Sequence, residues 1–131
     1  MPSNIEIRII DKEHSEDINI PNEPFELFGR MIPSYSNERW SYTAEYFSDT
    51  KQMCFPDENY SYDVMSGDCV FIGAYDGEKC IGLAIMQQHY FKYMYLYDLK
   101  VNREYRGKGV ASKLMEKARQ TAYESGYNGI F

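Results

Sequence analysis

Hydrophobic and polar positions divide the chain into short apolar runs separated by polar, turn-forming stretches. Residues 5–10 alternate weakly and predict a first strand. Residues 11–22 are polar and read as a loop. Residues 24–32 predict a short helix, with Pro24 near its start and Pro33 closing it. Residues 41–47 predict a second helix, capped by Ser41 or Thr43. The polar stretch 48–67 reads as a loop. Residues 69–74 and 79–88 predict two strands, with Asp76-Gly77 as a hairpin signal between them. Residues 91–101 predict another strand. Over 109–125, Val110, Ala111, Leu114, Met115, Ala118 and Ala122 fall on helical spacing, and Gly126 stops the helix. The order β, α, α, β, β, β, α predicts one mixed α/β domain over 1–131. A strand followed by a helix normally returns to a parallel strand. Here only 127–131 look like the start of one, so the edge beside 91–101 is expected to lack cover.

The turn between the last strand and the last helix is Arg106-Gly107-Lys108-Gly109-Val110-Ala111. A glycine-rich turn that opens a helix presents unpaired backbone N–H groups and the positive end of a dipole, which together make an anion site. The plainer alternative is a strand-to-helix turn where glycine only relieves backbone strain. The P-loop pattern GxxxxGK[ST] is absent. The dinucleotide pattern GxGxxG is half met, because Ser112 takes the last place. The pattern (Arg/Gln)-x-x-Gly-x-(Gly/Ala) is met by Arg106, Gly109 and Ala111.

Composition narrows the partners. The 131 residues are 44% hydrophobic, enough for one domain with one core. Net charge is −6, which argues against nucleic acid and suits a cationic small molecule. Thirteen tyrosines suit wet, half-buried faces. Cys54, Cys69 and Cys80 form no CxxC pair, and Met1-Pro2-Ser3-Asn4 shows no signal peptide, so a cytoplasmic protein with reduced thiols is expected. His14 and His89 lack ligand spacing, so no metal is expected. No apolar stretch nears the roughly 20 residues that span a membrane, so no membrane association is expected.

Residues 98–118 resemble motif A of the GNAT N-acetyltransferase superfamily, with its preceding strand and following helix. A second stretch is narrower. Asn22-Glu23-Pro24-Phe25-Glu26-Leu27-Phe28-Gly29-Arg30-Met31-Ile32-Pro33-Ser34-Tyr35, followed by Asn37-Glu38-Arg39-Trp40-Ser41, is similar to the N-terminal segment of streptothricin acetyltransferases. Together the resemblance covers about 22–125. It implies the GNAT acyl-CoA N-acyltransferase fold, truncated after the motif A helix. It also implies acetyl transfer from acetyl-CoA to a primary amine of a small cationic molecule of streptothricin type.

By this resemblance, the backbone of Leu99, Lys100 and Val101 pairs with the pantetheine arm as an added strand would. The N–H groups across Arg106, Gly107, Lys108, Gly109, Val110 and Ala111 hold the pyrophosphate. An alkylamine near pKa 10.4 must lose a proton before attack, at a cost of roughly 4–5 kcal/mol at pH 7. Asp98 is the candidate to assist. Relatives often carry an acid pair there, whereas this chain has Tyr97 before Asp98, so a structural role for Asp98 stays open. An N–H near Leu99 is the candidate oxyanion donor. Phe91, Tyr93, Tyr95 and Tyr97 alternate onto one strand face. That face either packs on a helix or forms a π-wall for a cation. Glu23, Phe25, Glu26, Trp40 and Glu45 are candidates for the same amine pocket. The alternative function is a catalytically silent CoA-binding or assembly protein, with homodimer formation through the uncovered edge.

Overall fold

The computed structural model describes residues 4–131; the Met1-Pro2-Ser3 start, where the leader reading began, lies outside them. The chain forms two compact units, one from residues up to Pro21 with Glu58–Phe131, the other Asn22–Asp57. In the larger unit a five-stranded sheet runs β1-β4-β5-β6-β7, where β1 is Ile5–Ile9, β4 Cys69–Asp76, β5 Lys79–Gln87, β6 Tyr93–Val101 and β7 Gly129–Ile130. β1, β4, β5 and β6 pair antiparallel, and β7 is parallel to β6. The mixed sheet follows the expected class. The hairpin between β4 and β5 turns at Gly77, whose φ is +62°, one residue beyond the Asp-Gly centre read from sequence.

Helix α2, Val110–Glu124, buries Val110, Leu114, Ala118 and Ala122, a stripe at every fourth residue. Against it lie Ile72, Ala74, Ile81, Ala84, Met86 and Met94 from the sheet. The opposite face packs Phe71, Leu83 and Ile85 with Ile10, Ile18 and Ile20, and Tyr60 and Tyr62 close over it. No helix of the described residues is long and apolar enough to cross a membrane.

The front of the chain corrects several expectations. Residues 11–22 are not a plain loop, because Lys12–Asn19 winds into 3-10 turns whose His14 amide donates to the Asp11 side chain. The helices expected at 24–32 and 41–47 are strands: β2, Phe25–Ser36, and β3, Arg39–Met53, form an antiparallel hairpin that is a sheet of its own. Asn37 and Glu38 both take positive φ, 50° and 61°, the primed turn whose twist matches a two-residue hairpin. Pro33, read as a helix stop, sits within β2 opposite Tyr42. A two-stranded sheet has an outward edge on each strand, so a missing N–H is tolerated. Trp40, Tyr42, Thr43 and Tyr46 add strand preference. The expected loop 48–67 instead carries the end of β3 and one helical turn, α1, Tyr62–Met65.

Candidate active site

β6 carries a register irregularity. Met86 lies opposite Leu96, yet Ile85 lies opposite Asp98, so Tyr97 is an extra residue and the strand is bulged. Before the bulge, Met94 and Leu96 point toward α2. After it, Asp98 shares the face of Ile85, Lys100 that of Leu83, and Val101 turns toward the α2 core. Tyr95, Tyr97, Asp98 and Lys100 therefore stand on one face, opposite α2.

The backbone changes phase with the side chains. The Asn102 N–H donates to Ile81 O at 2.8 Å. Narrow antiparallel pairs recur at every second residue, so Lys100 uses its own N–H and C=O on Leu83. Leu99 and Val101 turn theirs to the other edge. On that edge β7 and the final residue reach only as far as Leu96, whose N–H donates to Phe131 O at 2.8 Å. Beyond Leu96 no strand of the described residues pairs there. The backbone expected to meet a pantetheine arm thus resolves into Leu99 and Val101, with Lys100 turned inward.

At the end of β6 the chain makes a 3-10 turn, Arg103–Tyr105, then passes Gly107 at φ +74° and Gly109 at φ +82° before α2 begins. Gly109 is the N-cap, and no side chain caps the helix. The first α2 amides therefore lack an internal acceptor, as an anion site requires. They line a cavity of about 270 Å³ with Val101, Tyr105, Arg106, Gly107 and Gly109. The loop is braced at three points. The Tyr105 hydroxyl donates to Asp76 Oδ2 at 2.6 Å. That bond, with some burial, pushes the Tyr105 phenol up to about 12. Arg106 Nε donates to Val101 O at 2.8 Å, so this guanidinium ties the loop to the strand edge. Lys108 Nζ lies 5.8 Å from the centre of the Tyr105 ring, a cation–π contact.

Asp98 is half-buried and held through Oδ2. The Tyr60 hydroxyl donates to that oxygen at 3.0 Å, and Lys100 Nζ stands 3.8 Å from it. Lys100 also donates to Glu58 Oε2 at 2.9 Å and to Ile20 O at 3.3 Å. The Tyr97 ring meets Tyr60 edge-on at 5.9 Å and Tyr95 at 6.3 Å. Tyr95 packs on Phe131 at 5.3 Å, and Phe131 on His89 at 5.1 Å. Neither Tyr60 nor Glu58 stood out in the sequence, since both fall in a polar stretch without periodicity.

The remaining candidates belong to the hairpin unit and are spread along it. Phe25, beside Glu23, sits at its base against Phe55, ring centres 5.3 Å apart. Trp40 sits near its tip opposite Tyr35, ring centres 5.0 Å apart and 75% exposed. Ten residues along β2 separate the two ends, a path of about 33 Å. Glu45 is paired with Arg30, Nε to Oε2 2.7 Å, so it does not present a bare carboxylate. Glu26 lies opposite Gln52, near the base.

Residues 36–131 match the acetyltransferase (GNAT) family. Streptothricin acetyltransferase A of Bacillus subtilis (strain 168) is 38% identical over 117 residues, covering 88% of this chain and 67% of that protein. A crystal structure described as a streptothricin acetyltransferase of Bacillus anthracis (strain Ames), in complex with acetyl coenzyme A, superposes with a TM-score of 0.73 at 23% identity, over 97% of this chain and 73% of the other. Nourseothricin acetyltransferase superposes with a TM-score of 0.72 at 19% identity, over 96% and 71%. Both structures share the fold. With the family matched over most of its length and a curated relative at this identity, the chain belongs to the acetyltransferase (GNAT) family.

Proposed function

We propose that this chain binds acetyl-CoA along the open half of β6 and at the mouth of α2, and acetylates a primary amine of a small cationic molecule of streptothricin type. The observation that carries the reading is the joint presence of an uncapped helix N-terminus and, running up to it, the Leu99–Val101 edge of β6, which no strand of the described residues pairs and where the Val101 carbonyl accepts from Arg106. The names of the curated relative and of the two solved structures support the acceptor class. The crystal structure with acetyl coenzyme A supports the coenzyme.

Bound acetyl-CoA would supply an activated acetyl group as a thioester. The chain's own residues have separate tasks. The amides of Gly107, Gly109, Val110 and Ala111 would receive the diphosphate, with the dipole of α2 behind them. Leu99 and Val101 would hold the pantetheine arm by strand-like pairing. The Leu99 N–H would also donate to the thioester carbonyl oxygen. Asp98 would accept a hydrogen bond from the acceptor ammonium and assist removal of its proton. Tyr95 and Tyr97, on the same face, would present π-clouds to the cation. The free thiols of Cys54, Cys69 and Cys80 fit a reducing compartment such as the cytoplasm.

Isothermal titration with acetyl-CoA tests binding, and thiol release with streptothricin tests transfer. Binding with no thiol release would leave a silent coenzyme binder. No binding would remove the proposal. The open edge of β6 also supports a second reading, pairing with another copy of the chain. Both uses need the same Leu99 and Val101 groups. Light scattering with and without acetyl-CoA separates them, because a dimer built on this edge must fall apart as the coenzyme binds.

A further inference from the structure

We infer that Tyr60 is a positioning residue of the acceptor site, fixing the Asp98 carboxylate for an incoming amine. The inference rests on the reading of Asp98 given above. Its basis is geometric. Tyr60 lies in the segment between β3 and α1, where nothing regular holds the backbone. It is nevertheless clipped twice by one side chain: the Tyr60 N–H donates to Asn19 Oδ1 at 2.6 Å, and Asn19 Nδ2 donates to Tyr60 O at 2.9 Å. The ring is held edge-on by Tyr97. With backbone and ring both fixed, the hydroxyl reaches Asp98 Oδ2 at 3.0 Å.

Lys100 approaches the same oxygen at 3.8 Å. Both contacts fall on Oδ2, which sets the plane of the carboxylate and leaves Oδ1 as the atom for a ligand. The Tyr60 phenol is raised, first by burial and then by the bond to Asp98, so it remains a donor across the working range of pH. The Lys100 ammonium is shared by the Asp98 and Glu58 carboxylates, at 3.8 Å and 2.9 Å. A carboxylate free to rotate would instead swing between these partners, and an amine would meet it in the right orientation less often.

Tyr60→Phe removes the hydroxyl and keeps the ring. Thiol-release kinetics with streptothricin should show kcat/KM for the amine falling about tenfold, the scale of one hydrogen bond to a charged group. The Kd for acetyl-CoA by titration should stay within about twofold of wild type, since the coenzyme meets the other edge of β6. In an Asp98→Asn background, Tyr60→Phe should cost nothing further, because a residue acting through Asp98 has no other route. Asn19→Ala, which frees the Tyr60 backbone, should reproduce the selective loss.

Several results would overturn the inference. One is wild-type kcat/KM in Tyr60→Phe while Asp98→Asn is impaired; this removes the role of Tyr60 alone. Losses that add in the double variant do the same, as does an equal loss of acetyl-CoA affinity. Full turnover by Asp98→Asn removes the reading of Asp98 itself, and the role of Tyr60 with it. A wild-type chain that binds acetyl-CoA yet acetylates no amine has the same consequence.

Discussion

Gly109 holds a left-handed conformation at the mouth of α2, φ +82° and ψ 10°, and its replacement by alanine tests the coenzyme site. A Cβ there would meet no protein atom within 4 Å, so the cost to the protein is conformational. An L-residue loses about 1–2 kcal/mol in this region. The reduced freedom of the unfolded chain returns about 0.4–1 kcal/mol, leaving a net loss of about 1 kcal/mol. At about 2.1 cal/mol/K of unfolding entropy per residue, a chain of this size drops roughly 4 °C in Tm. Gly126 is the internal control. It lies just past the other end of the same helix, at φ +87°, and a Cβ there also meets nothing within 4 Å. Gly126→Ala should therefore cost the same stability. The two variants should differ only toward the ligand. In Gly109→Ala the new methyl enters the space proposed for the diphosphate. A lost charge-assisted hydrogen bond there costs about 1.5–3 kcal/mol, at least about tenfold in Kd. Calorimetry gives Tm, and titration with acetyl-CoA gives Kd. Equal Kd for both variants would refute a diphosphate at this helix mouth.

Arg106→Ala removes the brace from Nε to Val101 O, and acetyl-CoA affinity should fall several-fold, on the scale of about 1 kcal/mol for one hydrogen bond. Arg106→Lys should not restore it, because an ammonium lacks the planar fork that reaches the carbonyl. At pH 8, Ellman's reagent should react quickly with one thiol per native chain, the exposed Cys54, and with all three after unfolding. Burial holds Cys69 and Cys80 up at about 11 each, so quick reaction of three native thiols would contradict the packing. The same shift makes stability fall with alkali. The native state keeps the Cys80 proton longer than the unfolded chain does, so this contribution is full below the ordinary 9.0 and is lost as pH rises toward about 11. Thermal unfolding across pH 8–11 should therefore fall less steeply in Cys80→Ala than in wild type, and parallel slopes would count against it.

The elements that build the larger unit were legible because their packing is local in sequence. β4, β5, β6 and α2 follow one another with short turns, and their apolar runs match the strand or helix period of the face they bury. The hairpin was not legible for the opposite reason. β3 is exposed along its whole length, so burial leaves no alternation to read. Its turn uses Asn37-Glu38 rather than Asn-Gly, and Pro24 and Pro33 imitate helix brackets. At the site, the glycine turn and Asp98 could be found because each carries a local pattern. Tyr60 could not, since its partners Asn19 and Asp98 lie 41 and 38 residues away. The partner of Glu45 was likewise illegible, because Arg30 comes from the facing strand, a pairing that only the hairpin creates.

The spacing of apolar residues along β6 is itself a signal for the site. Along β6 the apolar residues not shared with the tyrosine face fall at 94 and 96, then at 99 and 101. An unbroken strand keeps them two apart. The step of three means that one residue is inserted, and the observed bulge at Tyr97 is that insertion. Its necessity follows from charge. Without it Asp98 would follow Met94 and Leu96 beneath α2, into a cluster of fully buried aliphatic residues, where an unpaired carboxylate is costly. The bulge moves Asp98 to the face where Tyr60 and Lys100 can meet it. The same one-residue shift turns the N–H and C=O groups of Leu99 and Val101 to the edge that β7 leaves open. The acid and the open backbone edge are therefore two results of one irregularity. Deletion of Tyr97 removes the inserted residue and leaves Asp98 opposite Ile85 and Leu99 opposite Ala84, so acetyl-CoA binding should persist, and its loss would refute this account of the register.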